Sequence, residues 1–234
     1  MFSTTTHEDP SASAFYASPR GIAAAGAISQ RLAAFWPDLA GLSVLGIGYP
    51  EPFLKLWAGT AYRCLNATAS QHGQPPPGSC SVNSLHLPFP DLVFDRILVI
   101  HGVEPYGNDE RLLRELWRVL KDDGRILVVA PNRMGVWAHL DSTPFGQGQP
   151  YSQGQIDRLL ASGMFRPERH DRALFTPPTN LRLVLRTSAF WESAGRKLAP
   201  QLAGVTLTEA VKDVYAAVPA MGVARRRVVV TEAA

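Results

Sequence analysis

Phe94-Asp95-Arg96-Ile97-Leu98-Val99-Ile100, then Leu112-Leu113-Arg114-Glu115-Leu116-Trp117-Arg118-Val119-Leu120-Lys121-Asp122-Asp123-Gly124, then Ile126-Leu127-Val128-Val129 decide the fold of this chain. The first run is almost wholly apolar after Asp95, as expected of a strand covered on both faces of a parallel sheet. Leu112, Leu113, Leu116, Trp117, Val119 and Leu120 recur at helical spacing. Asp109 and Glu110 stand in the first turn of that helix, where its dipole favours acids. Gly124 is expected to close it as a left-handed cap. Arg118 with Asp122, and Arg111 with Glu115, have the spacing of helical ion pairs. Ile126 to Ala130 reads as the next buried strand, ended by Pro131. Strand, helix, turn and strand form one unit of an α/β sheet with right-handed crossovers.

Upstream, Ser18-Pro19 supplies an N-cap and a first-turn proline for a helix that Pro37 stops. Leu42-Ser-Val-Leu-Gly-Ile-Gly48 is a short strand running into a turn, and Tyr62 to Asn66 a second strand. Gln71 to Ser79 contains three consecutive prolines and is a loop. Downstream, residues 132–151 form a long loop, a length often tied to function. Ser152-Gln-Gly-Gln155 is a capping box opening another helix. Residues 164–175 hold a strand, Thr179 to Lys197 an added helical segment, and Val205 to Val214 the last strand. The division is a disordered 1–14, one domain over 15–220, and a basic tail over 221–234.

The chain has 234 residues, 46% hydrophobic and 18% charged, which suits one globular domain. No run reaches the roughly 20 apolar residues of a membrane span. The N-terminus lacks the basic start and apolar core of a signal peptide. Cys64 and Cys80 are too few for a disulfide scaffold or zinc site; both read as small buried residues in a reducing cytoplasm. Net charge is +3, much of it from Arg225-Arg226-Arg227. Without interleaved aromatics these arginines read as a solvated tail rather than a nucleic-acid contact. His101, His139 and His170 are scattered, so no metal site is expected. No Walker loop or nucleophile elbow is present.

Leu87-Pro88-Phe89 with Phe94-Asp95, then Val99 to Glu104, then Leu113 to Gly124 resemble, in order, the segments of methyltransferase type 11 domains. These belong to the class I S-adenosylmethionine (SAM) dependent methyltransferases. The resemblance implies a Rossmann-like three-layer sandwich. Its sheet is mostly parallel and seven-stranded, with an antiparallel last strand. It also implies SAM as cofactor and a small-molecule methyl acceptor. In that family the first strand runs into an acidic-x-Gly-x-Gly-x-Gly turn. Here the segment is Gly46-Ile47-Gly48-Tyr49-Pro50-Glu51-Pro52. The acid is Gly46, the first glycine survives as Gly48, and the other two are Pro50 and Pro52, which have no N–H.

Asn66 stands nearest the position of the ribose-binding acid. Asn83 stands for the acid facing the adenine amine, with the Ser84 amide beside it. Three acids are therefore replaced together, at roughly 1–3 kcal/mol per lost charged hydrogen bond. Tyr16, before the first long helix, and Glu51, inside the altered turn, are the candidates to compensate. His101, at the end of the fourth strand, is the candidate base. Trp137, His139 and Phe145, in the 132–150 loop, are candidates to cover and orient a substrate. A methyltransferase and a catalytically inactive relative that serves as a binding or regulatory subunit both fit this sequence. The second reading leaves room for a homodimer or a protein partner.

Overall fold

In a computed structural model, residues 12–69, 79–82, 86–103 and 109–214 are described. The strands are β1 (Ser43–Gly48), β2 (Arg63–Ala69), β3 (Ser79–Val82), β4 (Phe94–Ile100), β5 (Leu120–Pro131), β6 (Phe165–Ala173) and β7 (Val205–Lys212). They form one sheet in the order β3-β2-β1-β4-β5-β7-β6. The five strands from β3 to β5 are mutually parallel, and β7 lies antiparallel between β5 and β6. The helices are α1 (Ala12–Ala17), α2 (Pro19–Phe35), α3 (Glu51–Leu54), α4 (Asp109–Val119), α5 (Gln153–Ser162), α6 (Arg182–Arg186) and α7 (Ser188–Leu198). Successive side chains of a strand point to opposite faces. Val44, Leu98, Ile100, Leu127 and Val129 pack on the α1–α2 side, while Leu45, Ile97, Val99, Ile126 and Val128 pack on the α4–α5 side. Three layers result, as expected of an α/β sheet buried on both faces.

Several local expectations need correction. Ala12 to Ala14, expected to be disordered, are helical. The 179–197 segment is two helices with a break at Thr187, not one. Cys80 is exposed rather than buried, and Cys64 is half-buried. Gly124 has no positive φ. Helix α4 stops at Val119, and the chain enters β5 at once, pairing Leu120 with Phe94. The next pair is Arg96 with Arg125, so residues 121–124 bulge out of the ladder. Gly124 is needed there for space: a Cβ would meet the Leu120 side chain at 2.5 Å. Lys212 holds the bulge from below. Its buried ammonium donates to Leu120 O at 2.9 Å, pairs with Asp122 at 3.0 Å and lies 3.9 Å from the centre of the Trp117 ring.

Arg118 also differs from the expected pairing. It turns back onto the Leu87-Pro88-Phe89 loop instead of reaching Asp122. Its guanidinium donates to Leu87 O at 3.0 Å, Phe89 O at 2.8 Å and Asp91 at 2.7 Å, and pairs with Glu115 at 2.8 Å. Glu115 in turn accepts from Leu87 N at 2.9 Å. The bond from Arg118 holds the Glu115 carboxyl below its ordinary pKa. The residues that carry the family resemblance are therefore one clamp, joining the loop before β4 to the helix after it.

A second network ties α2 to the far strands. Glu209 on β7 is 1% exposed and accepts from Trp36 Nε1 at 2.7 Å. Arg125 and Arg169 approach the same carboxylate at 3.3 and 3.5 Å. Arg169 also lies over the Phe35 ring, 4.5 Å from its centre. Removing the carboxylate leaves a buried indole N–H without its acceptor, while Arg125 keeps Glu168 at 3.0 Å and Arg169 keeps Phe35 O at 3.4 Å. Glu209→Ala should therefore cost roughly 2–4 kcal/mol in urea unfolding; a loss under half a kcal/mol would show that the network contributes little.

Candidate active site

The ligand crevice of such a sheet lies beyond the carboxyl ends of its strands, where β1 and β4 diverge to opposite connections. The turn between α1 and α2 brings aromatic side chains to that point. Ser18 caps α2 by accepting from Gly21 N at 3.0 Å, and its own hydroxyl donates to Phe15 O at 2.6 Å. A Cβ on Gly21 would sit 1.9 Å from Phe15 O, so this turn closes only with glycine there. As a result α1 folds back, and Phe15 and Tyr16 are buried against the tips of β1 and β4.

The β1 loop is stitched to β4. Gly48 has φ +87°, and a Cβ there would lie 2.1 Å from Ile100 O. Tyr49 N donates to that same carbonyl at 2.8 Å. The Pro50 ring rests on Gly46: a Cβ at position 46 would meet Pro50 Cγ at 2.5 Å and Leu54 Cδ1 at 2.9 Å. The place of the family's acid is therefore filled by the proline that replaces a family glycine. Two departures that look independent in the sequence are one packing change.

His101 follows β4 with φ +53°, in the left-handed region that non-glycine residues seldom occupy. Its Nε2 lies 2.9 Å from Tyr16 Oη, a hydrogen bond. Its Nδ1 is inaccessible to solvent and has no partner among the described residues. Burial pushes its pKa down from 6.5 to about 4, so the imidazole is neutral at pH 7. A base for work near neutral pH needs a higher value than this. What His101 offers is a neutral ring held by Tyr16, with its second nitrogen buried.

Around this pair the aromatic rings are continuous. Tyr16 stacks on Tyr49 with centroids 5.6 Å apart and planes 4° from parallel. His101 lies 4.9 Å from Phe145, which lies 5.7 Å from Trp137. Phe15 meets Trp137 and Phe145 edge-on at 6.2 and 5.8 Å. Trp137 and Phe145, expected to cover a substrate from a loop, are buried core residues, and Trp137 Nε1 donates to Thr176 O at 2.9 Å. His139 is exposed, its ring 3.2 Å from Arg133 O, and does not join them. Glu51 opens α3 and pairs with Lys55 at 3.8 Å. Phe15, Tyr49 and Phe53 were not among the expected site residues. The signal for Tyr49 was its place between Gly48 and Pro50, and for Phe15 its adjacency to Tyr16.

Asn66 is not the end of its strand. β2 runs on to Ala69, and Asn66 stands level with Gly46. One step beyond the Ile47–Ala67 pair, Thr68 stands level with Gly48, buried, with its hydroxyl 3.5 Å from Asn66 Oδ1. Asn83 and Ser84 lie outside the described residues, as do Glu104, Pro105 and the Arg225–Arg227 tail. Among the described residues, the polar groups near these strand ends are neutral: an amide, a hydroxyl and the imidazole of His101. At the amino-acid end, no carboxylate stands at position 46, Tyr49 N is already bonded, and Pro50 and Pro52 carry no donor. The residues fit the neutral part of the cofactor and not the charged grip that the resemblance implies.

Two outcomes follow from this geometry. Gly46→Asp, which restores the family's acid, should destabilise the fold by at least about 2 kcal/mol through overpacking. Adding Pro50→Gly should recover part of that, with a coupling of about 1 kcal/mol or more; additive costs in denaturant unfolding would separate the two residues. Below pH 6.5 the unfolded chain protonates His101 while the folded chain resists until about pH 4. Stability therefore falls with pH across that window. His101→Asn should flatten the fall, and equal slopes for parent and variant would contradict the burial of this ring.

Comparisons with known proteins agree with this fold. A family model described as a methyltransferase domain matches residues 29–128. A demethylmenaquinone methyltransferase of Thermus thermophilus is 28% identical over 110 residues, covering 46% of this chain and 49% of that protein. The chain thus spans about half the length of that relative. A ubiquinone/menaquinone biosynthesis C-methyltransferase of Enterobacter is 45% identical over 47 residues, 20% of this chain and 19% of that one. Among solved structures, a SAM-dependent methyltransferase of Thermotoga maritima superposes with a TM-score of 0.61 at 15% identity, covering 85% of this chain and 92% of that one. The [4+2]-cyclase SpnF superposes with a TM-score of 0.55 at 20% identity, covering 80% of each chain. Residues 29–128 accordingly match a methyltransferase domain, and the chain has the α/β fold seen in SAM-dependent methyltransferases.

Proposed function

We propose that this protein is a SAM-dependent methyltransferase acting on a small, uncharged acceptor, with a weakened hold on its cofactor. The observation that carries the reading is the methyltransferase-domain match over residues 29–128, whose β4 tip holds His101 with an Nδ1 that is buried and unbonded among the described residues. Buried polar groups are almost always bonded, and a bound ligand would complete this one. SAM, when bound, supplies a methyl group on a sulfonium. The chain's own residues then position and exclude water: Tyr16 orients His101, and Phe15, Phe145 and Trp137 wall the crevice. With its pKa near 4, His101 orients by hydrogen bonding and is a poor proton acceptor at pH 7. The acceptor atom must then be nucleophilic without help from this ring.

A second reading is a non-catalytic relative in which the fold persists as a binding or regulatory subunit. The Pro50 ring on Gly46 favours it, because it removes both the acid and the room for one. Calorimetry with SAM and with S-adenosylhomocysteine separates the two. Methyl transfer predicts binding weaker by about 100-fold or more than with all three acids in place, from roughly 1–3 kcal/mol per lost contact. Tyr16→Phe should weaken it further. No heat and no thermal shift at millimolar ligand would leave the second reading standing.

A further inference from the structure

Between β6 and β7 the chain makes an excursion, residues 174–204, that carries α6 and α7. Its inner side is firmly built. Glu192 is 4% exposed, and its carboxylate accepts from the amides of Leu174, Phe175 and Thr176 at 3.1, 2.7 and 3.1 Å. Gly195 lies against the Phe175 side chain so closely that a Cβ would stand 2.6 Å from its Cβ and 2.7 Å from its ring. The outer side is the opposite. Leu183, Phe190 and Leu198 are 75, 66 and 84% exposed, with Leu181 and Leu202 also exposed. At about 100° per residue, Phe190, Trp191 and Leu198 fall on the half of α7 that faces away from Glu192. The Phe190 and Trp191 rings meet edge-on at 6.0 Å.

The charge on this surface has one sign. Residues 181–202 contain Arg182, Arg186, Arg196 and Lys197, and their only carboxylate is the buried Glu192. We propose that the α6–α7 face docks on the surface of a membrane carrying anionic lipid. Large apolar side chains with a tryptophan enter the headgroup boundary, and the flanking cations meet the negative surface. A second copy is a poorer occupant, because a two-fold pairing of this face would oppose like charges. The docking itself does not depend on methyl transfer. Its consequence for substrate rests on that reading: Pro131 pairs with Val205, so the excursion borders the carboxyl edge of the sheet, and Trp137 bonds to Thr176 within it. An apolar acceptor dissolved in the bilayer would be delivered at that edge.

Flotation of the full chain with lipid vesicles tests this. It should rise with vesicles of phosphatidylcholine containing about 30 mol% phosphatidylglycerol and bind pure phosphatidylcholine roughly tenfold or more weakly. Phe190→Ser/Trp191→Ser/Leu198→Ser should abolish flotation with an unchanged circular dichroism spectrum. Arg182→Gln/Arg186→Gln/Lys197→Gln should weaken it at least tenfold and reduce its salt dependence. Failure of the parent to float, or undiminished flotation of the triple serine variant, would overturn the proposal. So would a parent dimer in sedimentation that the serine variant converts to monomer, which assigns the face to a second copy. Calorimetry with SAM in the absence of vesicles reads the methyl-transfer proposal separately.

Discussion

The site is organised by one steric contact, the Pro50 ring lying on the bare Cα of Gly46. Gly46 sits inside β1, paired on one side with Asn66 and on the other with Leu98, so its backbone cannot retreat. Whatever follows in the loop must accommodate that wall. With Pro50 seated there, Tyr49 is aimed at Tyr16, and Tyr16 reaches His101. The crevice is thereby lined with rings where the family resemblance implies charges. Close-packed interiors change in discrete steps, since a one-atom difference has to be met by a neighbour. The exchange of an acid for a glycine and a glycine for a proline is such a step.

Much of the fold was legible because it rests on patterns that tertiary context seldom overrides. The apolar run from Ile97 to Ile100 can only be a strand with both faces covered, and the capping box at Ser152 and Gln155 forms as read. The failures share one cause, which is partner choice over long sequence separations. Arg118 has an acid at i+4, but carbonyls of Leu87 and Phe89 offer it better-aligned acceptors. Gly124 follows a helix as a cap would, yet crowding by Leu120, not backbone handedness, selects it. β2 runs three positions past Asn66, through Ala67-Thr68-Ala69, where small residues give little strand signal. Trp137 and Phe145 lie in a segment with loop composition, and nothing local reveals that α1 folds back to bury them.

The comparisons sharpen the same division between scaffold and site. The superposed structures share the fold, which places a crevice beyond the strand ends without dictating its chemistry. That a [4+2]-cyclase and methyltransferases superpose on this chain to similar degree illustrates how far one fold can serve different reactions. In this protein the described residues keep the sheet and its flanking helices, and a neutral His101 stands among aromatic rings at the β4 tip. The buried Glu209 network and the Lys212 anchor lie at the opposite edge of the sheet, so the stability of the fold and the composition of the crevice can vary separately.

The pairing of Ala173 with Val205 has a further consequence. Because β6 and β7 are antiparallel neighbours, the ends of the excursion between them are held together by the ladder itself. The entropy of closing such a loop grows only with the logarithm of its length. Residues can be gained or lost there without shifting the register of any strand or disturbing the β1–β4 tip. The 174–204 segment is therefore the part of this architecture most open to divergence, a place where descendants of one ancestor can acquire different attachments while keeping the same sheet.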